Sequence, residues 1–236
     1  MAAQESRPAS RRESEGEPRG PLDDLCGPPL DYPSGVTLFR QDELPRTIFL
    51  ISRGFVKHVR NTGDGREAIV ALRAGRSLVG SSSAVTSDPH VTTASTLTGC
   101  TLRTIEAAAL RRALESDWAV SKLVHQIHAR EVREQFLRAA DATLPATRRL
   151  ERLLAGFIRD GLTATRSGQM SLDIPLSHEE MGQMISVTRG HVSRLFGKLE
   201  ARGLVLRRKD RIFIPPHSPL LGARDRQPDG RTSRGV

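Results

Sequence analysis

Between about Tyr32 and Ile105 the apolar residues come in short runs: "TIFLISRGFVKHVRN", "AIVAL", "RAGRSLVG" and "VTTASTLTGCTLRTI". They are separated by turn signals. Asp64-Gly65 between two such runs is a hairpin signal, and Gly54, Gly63, Gly75 and Gly80 punctuate the stretch at turn spacing. Several short strands at this density predict a small antiparallel barrel or roll.

From Glu106 the period changes to that of a helix. "EAAALRRALESD" predicts a short helix, and the stretch from about Trp118 to Ala140 contains no Gly or Pro and predicts one long one. In it Val120, Leu123, Val124, Ile127, Val132, Phe136 and Leu137 recur at three- and four-residue steps, making one apolar stripe. A long stripe needs a partner surface. The expectation is a two-stranded dimer seam built on Val120, Leu123, Val124, Ile127 and Leu137, with packing on the barrel alone as the alternative. Pro145 then fits the first turn of a new helix whose Leu150, Leu153, Leu154, Phe157 and Ile158 supply a core face, so Asp141 to Leu144 reads as a hinge between domains.

"LSHEEMGQMIS" places Glu180 three residues after Ser177, the arrangement in which the two side chains cap each other's backbone donors. A short helix is expected there, with Met181, Met184 and Ile185 inward and Gly182 leaving room for a close neighbour. After a turn at Ser186 and Val187, Thr188 caps a second helix running to about Arg202, with Val192, Leu195, Phe196 and Leu199 on its buried face. Two helices joined this way are a helix-turn-helix. The exposed face of the second would carry Arg189, Gly190, His191, Ser193, Arg194 and Lys198, and an arginine near the N-terminus of such a helix can reach guanine O6 and N7. Beyond it "GLVLRRKDRIFIPP" alternates around Lys209-Asp210, as a two-stranded wing would. Its basic residues, Lys209 among them, suit phosphate contacts.

Charge agrees with that picture. Lys plus Arg number 36 against 27 Asp plus Glu, a formal net charge of +9, which favours a polyanionic partner. Residues up to about Pro29 and again from about His217 are rich in Ser, Arg, Gly and Pro and poor in large apolar side chains. Both ends are expected to be disordered. No apolar run is long enough for a membrane span or a signal peptide, and two cysteines, Cys26 and Cys100, are too few for a disulfide framework. A cytoplasmic protein is expected, with no membrane partner and Cys100 a buried core thiol.

Barrel, long helix and winged helix-turn-helix in that order resemble the catabolite activator and fumarate-nitrate regulator (Crp/Fnr) family over about Tyr32 to Pro215. The residues that carry the resemblance are "VTLFRQDELPRTIFLISRGFVKHVRNTGDGREAIVAL" and "SHEEMGQMISVTRGHVSRLFGKLEARGLV". The resemblance implies an α+β fold with a cyclic-nucleotide-binding-like β-barrel (a jelly roll) over 31–113, a dimerisation helix over 114–141 and a winged helix-turn-helix over 142–216. An arm (1–30) and a tail (217–236) flank them. It further implies a homodimer that binds a two-fold operator in double-stranded DNA, with RNA polymerase as a further partner.

Two departures stand out. The family's recognition pattern is Arg-Glu-x-x-Ser-Arg, and here it reads Arg189-Gly190-His191-Val192-Ser193-Arg194, so the glutamate that would accept a hydrogen bond from cytosine N4 is missing. Altered operator preference is expected, and Gly190 also weakens the helix by about 1 kcal/mol relative to alanine. In the barrel, family members that bind cyclic nucleotides cradle the phosphate with Gly-Glu and then Arg followed by Ser or Thr. Here Gly80, Ser81 and Ser82 stand at the first place, and His90 and Val91 at the second. Without the guanidinium the charge-assisted clamp on phosphate is gone, which speaks against cyclic AMP.

An iron-sulfur cluster would need more thiolates than Cys26 and Cys100 supply, and a lone His58 or His90 is a weak cue for haem. No cofactor is therefore expected. "GSSSAVTSDPH" brings Ser, Asp and His close in sequence without a nucleophile-elbow pattern, and reads as a remodelled effector loop instead of a catalytic site. The reading is a sequence-specific transcription regulator, not an enzyme. The alternative is a ligand-sensing module whose winged domain docks protein.

Overall fold

The computed structural model describes residues 20–63, 65, 67–159, 161–166, 169–172, 176–208 and 211–224. The chain divides into two compact units, Met1–Ala139 and Ala140–Val236.

The first unit contains β1 (Leu30–Tyr32), β2 (Thr37–Phe39), β3 (Thr47–Arg53), β4 (Val56–Asn61), β5 (Glu67–Arg73), β6 (Leu78–Val79), β7 (Thr93–Thr96) and β8 (Cys100–Glu106). They form two antiparallel sheets, ordered β1-β8-β3-β6 and β2-β7-β4-β5. Helix α1 (Ser81–Thr86) lies between β6 and β7, and α2 (Ala107–Ser116) and α3 (Trp118–Asp141) follow β8. The run "TIFLI" explains the layering, because successive side chains of a strand point to opposite faces. Ile48 and Leu50 pack with the helices, while Phe49 and Ile51 pack between the two sheets. Neighbouring strands do the same, Leu78 and Ile105 going outward and Val79 and Leu102 inward. The β1-β8-β3-β6 sheet is thus buried on both faces, with the roll core on one side and α2 and α3 on the other.

That packing corrects the expectation for α3. Val120, Val124 and Ile127 are 1%, 2% and 8% exposed and belong to the core cluster with Ile48, Leu78 and Leu110; Leu123 packs against it half-buried. They are not free to form a dimer seam. The three- and four-residue spacing is the same whether a stripe meets its own chain or a second one, so the pattern could not separate the two. Further along the helix Val132, Phe136 and Leu137 are exposed, as is Trp118 at its start.

Composition also misleads at both ends. Residues 20–29, read as part of the arm, are folded: Leu22 is buried in the helix-facing core, and Arg103 of β8 pairs with Asp23 and donates to the Gly27 carbonyl at 3.0 Å. Cys26 is half-buried against that core instead of lying in a mobile arm, and Cys100 is buried between the sheets. The tail is folded as far as Arg224, with the Ser218 hydroxyl donating to the Leu204 carbonyl at 2.8 Å, Leu220 buried, and a 3-10 turn over Leu221–Arg224. The expected disorder of the outermost residues falls outside those described.

The second unit holds α4 (Ala146–Arg159), β9 (Thr163–Arg166), β10 (Gln169–Leu172), α5 (His178–Ile185), α6 (Arg189–Ala201), β11 (Leu206–Arg208) and β12 (Arg211–Ile214). Leu150, Leu154, Phe157 and Ile158 of α4 are buried, as are Val192, Leu195, Phe196 and Leu199 of α6. The strands form one sheet, β11-β12-β10-β9, so the expected two-stranded wing continues into β10 and β9.

Ile127→Ala removes a side chain from the unit's own core. It is expected to lower the unfolding free energy by about 2–5 kcal/mol. Urea unfolding should give the same loss at every protein concentration; a loss that shrinks as the protein is concentrated would return Ile127 to an interface.

Candidate nucleic-acid interface and effector cavity

Helix α5 begins with both halves of the expected capping box. The Ser177 hydroxyl accepts from the Glu180 amide at 3.2 Å, and the Glu180 carboxylate accepts from the Ser177 amide at 2.9 Å. Its end is set by Gly182, where an added Cβ would lie 2.5 Å from the Val187 carbonyl oxygen. The turn folds back against that bare backbone, and the Val187 amide donates to the Gly182 carbonyl at 2.9 Å. Any side chain at 182 would push the turn away. Thr188 then caps α6, its hydroxyl accepting from the His191 amide at 3.3 Å.

The buried face of α6 fixes its orientation, so the opposite face is presented to solvent. Arg189, Gly190, Ser193, Arg194 and Lys198 are exposed there and His191 is half-buried. Nothing lies within 4 Å of a Cβ built on Gly190, so the missing side chain is no packing requirement. Two buttresses hold the far end of the helix. Glu151 of α4, 7% exposed, pairs with Arg148 at 2.7 Å and with Arg202 at the end of α6. Glu200 accepts from the Arg207 amide at 3.0 Å and from its guanidinium at 3.1 Å, tying α6 to β11 and holding the Glu200 carboxyl below its usual range. His178 stacks on Phe196 with ring centroids 5.1 Å apart. Burial, with Arg207 and Arg189 nearby, keeps its imidazole neutral at lower pH than usual. On the wing Arg208 lies over the Phe213 ring at 5.8 Å and Arg211 is exposed. Lys209 lies outside the described residues.

The first unit carries a half-open cavity of about 760 Å³. Gly80, Ser82, His90 and Val91 line it as the sequence suggested, but Ser81 does not, because its side chain is 1% exposed and otherwise engaged. The Ser81 hydroxyl donates to the Leu78 carbonyl at 2.9 Å and lies 2.9 Å from Nε2 of His128 on α3. His90 is buried and stacked on Phe39 with centroids 3.7 Å apart; a Cβ at Gly80 would lie 3.1 Å from the Phe39 ring and 3.3 Å from that of His90. Where the resemblance implies a phosphate cradle, two stacked rings therefore close over Gly80. Arg73 of β5 also lines the cavity, with its Nε 3.0 Å from Glu131 and a terminal nitrogen 3.3 Å from Glu134, both on α3. Its charge is already matched.

His58 of β4 lines the cavity, although from sequence it gave only a weak cue for haem. Nδ1 lies 2.9 Å from the Thr92 hydroxyl, whereas Nε2 is buried with no hydrogen-bond partner among the described residues. Burial, reinforced by Arg73 and His90, pushes its pKa down to about 3. His90 and His128 are shifted the same way by burial. Among the described residues no group of His, Cys, Asp and Glu is arranged to hold a metal ion.

A capped helix pair with a basic outer face, backed by a wing, defines a helix-turn-helix DNA-binding transcription regulator. Residues 148–220 match the Crp-like helix-turn-helix domain and residues 29–117 the cyclic nucleotide-binding domain. With both domains in that order the chain belongs to the Crp/Fnr family, and the protein-docking module that the pattern alone left open is not favoured. The chain is 25% identical over 179 residues to a CRP-like cAMP-activated global transcriptional regulator of Mycobacterium tuberculosis, covering 75% of this chain and 79% of that one. Over the same length it is 22% identical to the nitrogen fixation regulation protein FixK of Bradyrhizobium diazoefficiens, covering 75% and 73%. The fold matches that of FixK2 from Bradyrhizobium japonicum with a TM-score of 0.70 at 20% identity, over 84% of this chain and 97% of that one.

An unfolded histidine titrates near 6.5, and His58 in the fold near about 3. Between those values the unfolded chain binds the extra proton, so this histidine makes stability fall as pH drops through the window. Thermal unfolding followed from pH 7 to pH 4 should show a smaller decline in His58→Phe than in the parent. Parallel curves would mean that His58 is not held neutral.

Proposed function

We propose that the protein acts as a homodimer that reads a two-fold operator through α6, under the control of something other than cyclic AMP. The single observation carrying the DNA reading is the N-terminal half of α6, where Arg189, Ser193 and Arg194 are exposed beyond a capped, firmly packed helix start. That end of a recognition helix meets base edges, while Lys198 and the wing arginines suit phosphates. Trp118, Val132, Phe136 and Leu137 on the outer side of α3 support a dimer, since large apolar side chains exposed along one helix favour a matching surface. The proposed seam thus keeps Leu137 of the residues expected from sequence and replaces the others. Operator binding would bring the dimer beside RNA polymerase in the cytoplasm. No described helix is long and apolar enough to cross a membrane.

The barrel supports independence from cyclic AMP. Ser81 stands where a carboxylate would be needed and is turned to Leu78 and His128, and His90 is stacked away on Phe39. Arg73 is held by two carboxylates. Among the described residues a cyclic phosphate would meet no free cation at the cradle.

Selection of operator fragments from a random pool, with and without cyclic AMP at fixed salt, tests both halves. One two-fold motif, unchanged by the nucleotide, is expected. Arg189→Ala and Arg194→Ala should each cost about 1–3 kcal/mol and relax preference at their base pairs, whereas Lys198→Ala should weaken all sequences alike and reduce the salt slope by about one. If the arginine variants select as the parent does, α6 is not the reading face.

Gly190 offers a gain-of-contact test. Because a side chain there meets open space, Gly190→Glu should fold normally and shift the selected motif toward cytosine at one position per half-site. An unchanged motif would place residue 190 away from the bases.

A further inference from the structure

The second unit carries an open groove where the first turn of α4 lies beside the last turns of α6. Pro145, Thr147 and Arg148 line it from one side, and Lys198, Ala201 and Arg202 from the other. Three of the six are cations, and among the described residues no Asp or Glu lines it. The carboxylate that meets them lies behind: Glu151 of α4, 7% exposed, gives one oxygen to Arg148 at 2.7 Å and the other to Arg202.

One carboxylate cannot neutralise two guanidiniums and an ammonium, so the groove keeps a positive excess. It also fixes two of them in place. A guanidinium has five N–H donors in a rigid fork, and each arginine turns one nitrogen to Glu151, which leaves donors on both for a second acceptor. The Arg148 and Arg202 side chains are 63% and 47% exposed, so both reach solvent. Two arginines held side by side by a buried carboxylate, with a lysine next to them, suit an anion whose oxygens accept from several donors at once.

The groove is continuous with the exposed face of α6. Arg194, Lys198 and Arg202 follow one another at four-residue steps, about 6 Å apart along the helix, and all three are exposed. From Arg189 to Arg202 the helix runs about 20 Å, whereas the major groove of DNA is about 12 Å wide. With the N-terminal end of α6 at the base edges, its last turns pass over the sugar-phosphate strand bordering the groove, and they bring Arg148 of α4 with them.

We propose that Arg148, Lys198 and Arg202 together clamp a backbone phosphate of the bound DNA at the outer end of α6. The proposal rests on the reading of α6 as the DNA-facing helix, and it adds Arg148 and Arg202, which that reading does not use. The contact fixes position and carries no sequence information.

Binding of the full-length protein to duplex DNA over a range of salt concentrations tests it. Arg148→Gln and Arg202→Gln each leave Glu151 with one arginine, so neither strands a buried charge. Each should weaken binding to the operator and to a random duplex by the same factor, about tenfold, and should leave the selected motif unchanged. Each should also reduce the salt slope by about 0.9. Methylphosphonate replacement of single operator phosphates locates the contact: one phosphate per half-site should cost both variants a smaller factor than it costs the parent, while the rest cost the same. The proposal is overturned if both variants keep the parent's salt slope, or if every phosphate costs them what it costs the parent. Inorganic phosphate titrated against the DNA-free protein separates the two sources of this anion. Saturable binding abolished by Arg148→Gln, with affinity for DNA unchanged, would assign the groove to a free anion instead. A random duplex suffices for the slopes, so a parent that shows them but selects no motif sinks the base-reading role of α6 and leaves the clamp standing.

Discussion

The β1-β8-β3-β6 sheet has to satisfy two cores at once, and most of the first unit follows from that demand. Its strands alternate, but with apolar residues on both sides, so neither face tolerates water and each must be covered. The second sheet covers one face and closes the roll. Helices α2 and α3 cover the other, which is why the first half of α3 is spent on its own chain. Once Val120, Val124 and Ile127 are pinned, the direction of the helix is set, and its next turns bring Glu131 and Glu134 to Arg73 and Val132 and Phe136 to the cavity rim.

The cavity reads as a family site from which the electrostatics have been withdrawn. Where the resemblance implies a carboxylate the chain has Ser81, and where it implies an arginine it has His90. The replacements have been given other work, one linking the α1 region to His128 of α3 and the other stacking on Phe39. With Ser81 and His90 at those places, neither leaves an unmatched buried charge to destabilise the roll.

The fold was largely legible because its strongest signals are local. The Ser177 and Glu180 caps, the Thr188 cap, the buried faces of α4 and α6 and the antiparallel pairing of β4 with β5 each depend on residues close to one another in the chain. What the sequence hid depends on distant pairing. Leu22 is buried in a segment whose Asp23 and Gly27 meet Arg103 of β8, some 80 positions away, and composition reads that stretch as arm. The β9 and β10 strands are short and polar, and β1, β2 and α1 are too brief to announce a period. Of the exposed face of α6, Arg189, Ser193, Arg194 and Lys198 were visible from helix phase alone. His58 and His128 were not, because their meaning lies in an orphaned nitrogen and a contact to Ser81 across 47 positions.

Val132 and Phe136 have two neighbours in prospect. They wall the cavity on one side and are exposed on the other, on the stretch of α3 proposed to face a second chain. Side chains shared in this way make occupancy and assembly reciprocal: whatever factor a bound molecule applies to the dimerisation constant, dimerisation must apply to the affinity for that molecule. On the proposed seam and effector site, protein concentration would be a second input to the sensor, and the abundance of the chain itself would set how much ligand is needed before the operator is occupied.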